Sequence, residues 1–270
     1  MEQAVMIKSG TEMLAGSLHL PENRTENGKI PIIIICHGFI GSRVGVNRLF
    51  VKAARYFSSL GFAVLRFDYE GCGESSGIYG TYGIERFIGQ TEDVIHFAAN
   101  IPTIDENDIY LLGHSLGGAV ATLTAVRNEK IRKLAIWAAV GRPFEDIAAI
   151  VGEEKVAALE YDSFIDFEGY TLVKTFFQSL SEYAPLQEAK KFTGDVFIAH
   201  GTEDKEIACS YAHIYEKSFR KSAKSVEKNL IAGGNHTFTS IEHSTELFRI
   251  TGGWFVEQRK TAARPARKII

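Results

Sequence analysis

Residues 30–36 read Ile-Pro-Ile-Ile-Ile-Ile-Cys, a run with no polar side chain at any alternate position. A strand made from it shows apolar side chains on both faces, so both faces must be covered. Phe62–Phe67, Asp108–Leu112, Lys133–Ala139, Asp195–His200 and Ser225–Ile231 are predicted as further strands, most of them rich in Ile, Leu, Val, Phe and Ala. Gln3–Ile7 and Leu14–Leu20, joined by a turn at Ser9-Gly10, read as an antiparallel start. Between the strands, Asn47–Leu60, Ile84–Asn100, Leu116–Asn128, Tyr211–Phe219 and Thr239–Glu257 carry helical periodicity. Strands alternating with helices in this way predict an α/β fold, a mostly parallel eight-stranded sheet with helices on both faces.

One interval breaks the alternation. Gly141–Thr193 separates consecutive strands by 53 residues and carries nine aromatic side chains, too long and too apolar for a loose loop. The expected organisation is a core of residues 1–140 and 194–258 with a folded insert, 141–193, after the sixth strand. Residues 259–270 form a basic tail through Arg259, Lys260, Arg264, Arg267 and Lys268, and a solvated end is its simplest reading.

The formal net charge of −3 gives no basic excess, which excludes nucleic acid as the expected partner. The apolar run at residues 30–36 is far below the ~20 residues a membrane span requires. The opening Met-Glu-Gln-Ala-Val has no basic leader, so export is not expected. Three scattered cysteines, Cys36, Cys72 and Cys209, suit neither a disulfide framework nor a thiolate zinc site, and a reducing, cytoplasmic home follows.

Two pentapeptides fit Gly-x-Ser-x-Gly, Gly73–Gly77 around Ser75 and Gly113–Gly117 around Ser115. Context separates them. A nucleophilic serine needs a sharp turn directly after a strand and directly before a helix, so that its hydroxyl projects above the sheet. Ser115 follows the strand Asp108–Leu112 and precedes the Ala-rich helix from Leu116. Ser75 sits in a Gly- and Ser-rich loop that runs on through Gly77, Gly80 and Gly83.

A serine hydroxyl needs a base, usually a histidine oriented by a carboxylate. In a strand–turn–helix arrangement the acid and then the histidine follow the serine along the chain. His236, in the loop Ala232-Gly-Gly-Asn-His-Thr-Phe238 after the last strand, is the favoured base. His200 closes a strand, and His213 and His243 fall in predicted helices. Asp204, in His200-Gly-Thr-Glu-Asp-Lys205, is the favoured acid, a short carboxylate in a tight turn at the same sheet edge. Glu203, Glu206, Glu145 and Asp146 are its alternatives. Two amides are needed for the oxyanion. Leu116 supplies one, and Phe39, in the turn His37-Gly-Phe-Ile-Gly41, supplies the other.

Five segments, HGF at His37, DYEGCGESSG at Asp68, GHSLGG at Gly113, HGTED at His200 and GGNHTF at Gly233, occur in the order and approximate spacing of the α/β-hydrolase family. The resemblance covers nearly the whole chain. Within the family the chain looks most like bacterial feruloyl or cinnamoyl esterases, which carry a small insert after the sixth strand. It departs from their pattern after the acid, where Lys205-Glu-Ile-Ala-Cys209 stands in place of a Val-Pro pair.

The resemblance implies Ser115, Asp204 and His236 as catalytic residues, Phe39 and Leu116 as oxyanion donors, and the Asp68–Ser75 stretch as a structural loop. It implies a cofactor-independent serine hydrolase, without metal, acting through an acyl-enzyme on a small carboxylic ester, with aryl or hydroxycinnamoyl groups in view. His37, His114, Tyr161, Phe164, Phe167 and Tyr170 are the expected substrate contacts, the last four on a hairpin over the pocket. An acyltransferase or thioesterase would use the same residues, and a non-catalytic binding protein on this fold is the remote alternative. A homodimer is compatible with this reading.

Overall fold

The computed structural model describes residues 1–22 and 28–262. The chain enters through β1 (Glu2–Ser9) and β2 (Glu12–His19), then β3 (Ile30–Cys36), α1 (Leu49–Ser59), β4 (Ala63–Phe67), α2 (Gly83–Ala99), β5 (Ile104–His114), α3 (Leu116–Arg127) and β6 (Lys133–Trp137). The insert holds α4 (Pro143–Val151), α5 (Glu153–Ala158), the strands β7 (Ile165–Phe167) and β8 (Tyr170–Leu172), α6 (Lys174–Ser181) and α7 (Pro185–Glu188). The chain closes with β9 (Asp195–Gly201), α8 (Ser210–Phe219), β10 (Ser225–Ile231) and α9 (Ile241–Ala262). Eight strands form one sheet in the order β1-β2-β4-β3-β5-β6-β9-β10. β2 runs antiparallel to β1 and β4, and the pairs from β4 to β10 are parallel. This is the α/β architecture the strand pattern predicts.

The run at β3 does what its composition demands. Ile32 and Ile34 join the core on one face, while Ile33 and Ile35 join the core on the other, and all four are buried. α2, α3 and α8 cover the first face, and α1 and α9 the second. Each such isoleucine contributes roughly 1.5–3 kcal/mol by burial. Pro31, next to the strand's start, has no N–H to give the ladder, and there the β3–β5 register shifts between Ile30 and Ile32.

Two boundaries differ from expectation. β5 begins at Ile104 rather than Asp108, because buried Ile104 pairs with Ile30 beyond the polar stretch Asp105–Asp108. β6 stops at Trp137, where Ala138 takes a positive φ of 44° and turns the chain. The expected tail also begins later than 259. α9 runs to Ala262, and the Arg259 guanidinium lies 5.9 Å over the Phe62 ring. Arg264, Arg267 and Lys268 lie outside the described residues. Among the described residues no helix is long and apolar enough to cross a membrane.

The strands end in register. Cys36 lies beside Gly113 and Gly113 beside Ile136, and the next row aligns His114, Trp137 and Ala199. The loops that follow therefore gather at the carboxyl edge of the sheet, where α/β sheets bind ligands.

Candidate active site

Ser115 occupies the junction of β5 and α3 with φ 58° and ψ −125°. A non-glycine residue held there costs on the order of 1–3 kcal/mol and persists only when its surroundings enforce it. The Ser115 N–H donates to Trp137 O at 3.0 Å, and its carbonyl accepts from Gly118 N at 2.9 Å and Val140 N at 3.1 Å. A Cβ on Gly113 would stand 2.2 Å from Gly117 O, and one on Gly117 2.2 Å from Cys36 O, so helix and strands approach too closely for any other residue.

Ser75, the other match, is consumed by its loop. Its Oγ donates to Asp68 O at 2.7 Å and accepts from Ala15 N at 2.9 Å. Asp68 is fully buried and pairs with Arg43.

Asp204 and His236 come from different loops that are tied together. Thr202 N donates to Ile231 O at 3.0 Å, Glu203 N to Gly234 O at 2.9 Å, and Gly233 N to Thr202 Oγ1 at 2.9 Å. Buried Phe238 anchors the end of the second loop. In this frame His236 Nδ1 lies 2.8 Å from Asp204 Oδ2. A carboxylate oxygen can only accept here, so Nδ1 carries the proton and Nε2 keeps its lone pair on the cavity side. That is the tautomer an imidazole needs to take a proton from a hydroxyl.

The remaining Asp204 oxygen, Oδ1, accepts from Glu206 N and Ile207 N, both at 2.9 Å. Burial alone would raise the carboxyl, but hydrogen bonds from His200, His236 and the Ile207 amide outweigh it and hold the group well below the usual carboxylate range. The alternative acids lie elsewhere. Asp146 accepts from Gly141 N, Arg142 N and Tyr211 Oη. Glu206 faces the other side of the imidazole, Oε2 at 3.8 Å from His236 Nε2.

Ser115 and His236 line one cavity of about 660 Å³ at the carboxyl edge. Phe39, Ile150, Phe167 and Tyr170 add apolar wall, with Glu168 and Glu206 as its carboxylates. Phe39 stacks with Phe176 at 6.0 Å and lies 5.9 Å from Phe167, so the turn after β3 and the insert meet through this ring. Among the described residues no protein acceptor pairs with the amides of Phe39 or Leu116. An ideal Cβ on Gly38 would stand 2.9 Å from Ser115 Cβ, which brings the Phe39 turn directly against the serine. Among the described residues no group of three or more His, Cys, Asp or Glu is placed to hold a metal ion.

Of the expected substrate contacts, the structure brings Phe167, Tyr170 and His114 to the cavity and leaves three outside. Tyr161 is 95% exposed and Phe164 52% exposed, because both precede the hairpin, which starts at Ile165. His37 is buried under the turn after β3, where Nδ1–H donates to Gly38 O at 2.8 Å and Nε2 accepts from Tyr69 N at 3.0 Å. It fixes the turn rather than facing a ligand, and burial lowers its pKa so that the accepting nitrogen stays free. His114 lines the cavity, but its Nε2–H donates to His236 O at 2.9 Å. Burial, with neighbouring His236, lowers its pKa to about 3. His200, set aside in the sequence as the end of a strand, instead meets the acid, its Nε2 3.0 Å from Asp204 Oδ2. Only its four-residue spacing from Asp204 could have raised the pairing.

Comparison with known proteins agrees with the architecture. Over 95% of this chain and 100% of the other, the fold superposes on Est1E of Butyrivibrio proteoclasticus, a structure solved with ferulic acid bound, at a TM-score of 0.82 and 23% identity. The chain has the α/β-hydrolase fold. The family model described as Serine aminopeptidase, S33 matches residues 29–153 of the chain, from β3 to the start of α5. An Escherichia coli protein, "Uncharacterized 31.7 kDa protein in traX-finO intergenic region", is 39% identical over 127 residues, 45% of this chain and 41% of that protein. The lysophosphatidylserine lipase ABHD12 of Bos taurus is 42% identical over 93 residues, 34% of this chain and 21% of the lipase. Both matches thus span less than half of either partner.

Proposed function

We propose that this α/β-hydrolase is a serine carboxylic-ester hydrolase. The observation that carries the reading is a strained serine and an Nδ1-protonated histidine on one cavity, the histidine held by a buried carboxylate. Ser115 Oγ attacks the ester carbonyl as His236 Nε2 takes its proton. The tetrahedral oxyanion accepts from the Phe39 and Leu116 amides. His236 then gives the proton to the departing alcohol, leaving an acyl group on Ser115. Water, deprotonated by the same nitrogen, releases the acid. Asp204 keeps the imidazole in its working tautomer and faces the imidazolium that forms.

The aromatic wall of Phe39, Phe167 and Tyr170 supports aryl or hydroxycinnamoyl acyl groups as the preferred substrates, a reading in keeping with the ferulic acid bound to Est1E. The test is turnover of p-nitrophenyl and hydroxycinnamoyl esters together with labelling by a fluorophosphonate. Labelling at Ser115 with hydrolysis lost in Ser115→Ala is the expected result. Ester turnover that survives Ser115→Ala would refute it, and preferential transfer to added alcohols or from acyl-CoA would reassign the activity to acyl transfer or thioester cleavage.

A further inference from the structure

We propose that His200 is a positioning residue that shares the Asp204 carboxylate with His236 and thereby sets the low-pH edge of activity. The inference rests on the catalytic roles proposed above for Asp204 and His236. Two imidazoles meet the same oxygen. Asp204 Oδ2 lies 2.8 Å from His236 Nδ1 and 3.0 Å from His200 Nε2. His200 Nε2 is also 3.0 Å from the Ile207 carbonyl. Both neighbours of that nitrogen are acceptors, so it carries a proton whichever charge state the ring holds. With the amides of Glu206 and Ile207 on Oδ1, the carboxylate receives an N–H at each of its four principal acceptor sites. Both side chains are nearly inaccessible, 2% exposed for His200 and 0% for Asp204.

Sharing has a definite sign. An oxygen that accepts two N–H bonds offers less negative charge to each donor, and a charged His200 would act in the same direction through space. His200 therefore leaves the imidazolium of His236 less stabilised than Asp204 alone would. The other ionisable groups facing this cluster are Glu206, at 3.8 Å from His236 Nε2, His114, whose ring lies 4.9 Å from that of His236, and Cys209, which senses the Asp204 charge. Of these Glu206 opposes His200, because a carboxylate beside Nε2 favours the imidazolium. The His200 bond to Ile207 O also closes the turn that presents Asp204, so its loss loosens the carboxylate itself.

The experiment compares His200→Leu, which removes the donor, with His200→Gln, which keeps an N–H near the same point. In His200→Leu we expect the acid limb of kcat/KM to move up by about 0.5–1 pH unit, kcat to fall about tenfold and KM to change less than about twofold. His200→Gln should restore most of both effects. An unmoved acid limb in His200→Leu, or equal damage in both variants with the limb unmoved, would overturn the role and leave His200 as packing. Should His200→Leu fail to fold, nitrogen NMR of the wild-type imidazoles decides: protonated Nε2 on His200 beside protonated Nδ1 on His236 supports the sharing, and an Nδ1-only proton on His200 refutes it. Asp204→Asn and His236→Ala serve as controls. Full activity in those two would sink the catalytic reading as well, whereas inactive controls beside an unaltered His200→Leu would sink the sharing alone.

Discussion

Asp204→Asn is the sharpest single perturbation of the proposed mechanism. The amides of Glu206 and Ile207 both donate to Oδ1, so an asparagine must turn its carbonyl toward them, since the reverse would set an NH₂ against two fixed N–H groups. Its NH₂ then faces His236 and His200. His236 can accept from that NH₂ only through an unprotonated Nδ1, which moves its proton to Nε2, the nitrogen that must take the serine proton. The serine loses its base without any change in the outline of the site. Equivalent loss of the working tautomer in a Ser-His-Asp triad lowers kcat by ~10⁴, about 5 kcal/mol of barrier. His200 fares no better, because its Nε2–H meets the same NH₂ while still needed by Ile207 O. Hydrogen bonds to a charged group contribute about 1.5–3 kcal/mol each, so a fall in melting temperature accompanies the loss of rate. The assay is p-nitrophenyl ester hydrolysis across pH, with urea unfolding and imidazole nitrogen NMR alongside. A variant within about tenfold of wild type, with His236 still protonated on Nδ1, would refute the argument.

Other outcomes follow from the same contacts. Ser115→Ala should remove ester turnover by orders of magnitude with the fold intact, while Ser75→Ala should keep the activity and instead lose about 1–3 kcal/mol in urea unfolding, since it breaks two hydrogen bonds of the Asp68 loop. Gly117→Ala should yield little folded protein, measured as soluble expression and melting temperature, because its Cβ would meet the Cys36 carbonyl at 2.2 Å. Stability should fall on acidification. His114 is lowered from 6.5 to about 3 in the fold, so between these values the unfolded chain binds the extra proton; the contribution is fully present above about pH 6.5 and is lost as pH falls toward 3. The size is on the order of 5 kcal/mol, read from the pH dependence of urea unfolding, and His114→Gln should flatten that dependence.

What could be seen in the sequence was whatever a single segment dictates. The run at β3 announces a doubly covered strand, and the change from Asp108–Leu112 to Leu116–Asn128 places a turn at Ser115, because both periods are local. The start of β5 was hidden, since Asp105-Glu-Asn-Asp108, with Glu106 and Asn107 exposed, lies at the far end of the sheet and reads as a turn although Ile104 pairs with Ile30. The site was legible in its chain order but not in its contacts. His37 looked like a ligand contact because a histidine after a strand carries chemistry, whereas its partner is the amide of Tyr69, 32 residues away. Tyr161 and Phe164 share their segment's aromatic character with Phe167, yet only the hairpin register decides which rings reach the cavity. His200 could not be paired with an acid before the turn between them was known.

The loops that unite Asp204 with His236 both hang from β9 and β10, and β10 is the last strand of the sheet, with only Ile231 fully buried. Ser115 is rooted three strands further in, where β5 is enclosed from Ile109 to its end. Breathing at that border would part His236 from Ser115 while the interior stayed intact. Under the proposed mechanism, turnover would be a gauge of the most weakly held margin, fading in denaturant ahead of any global signal.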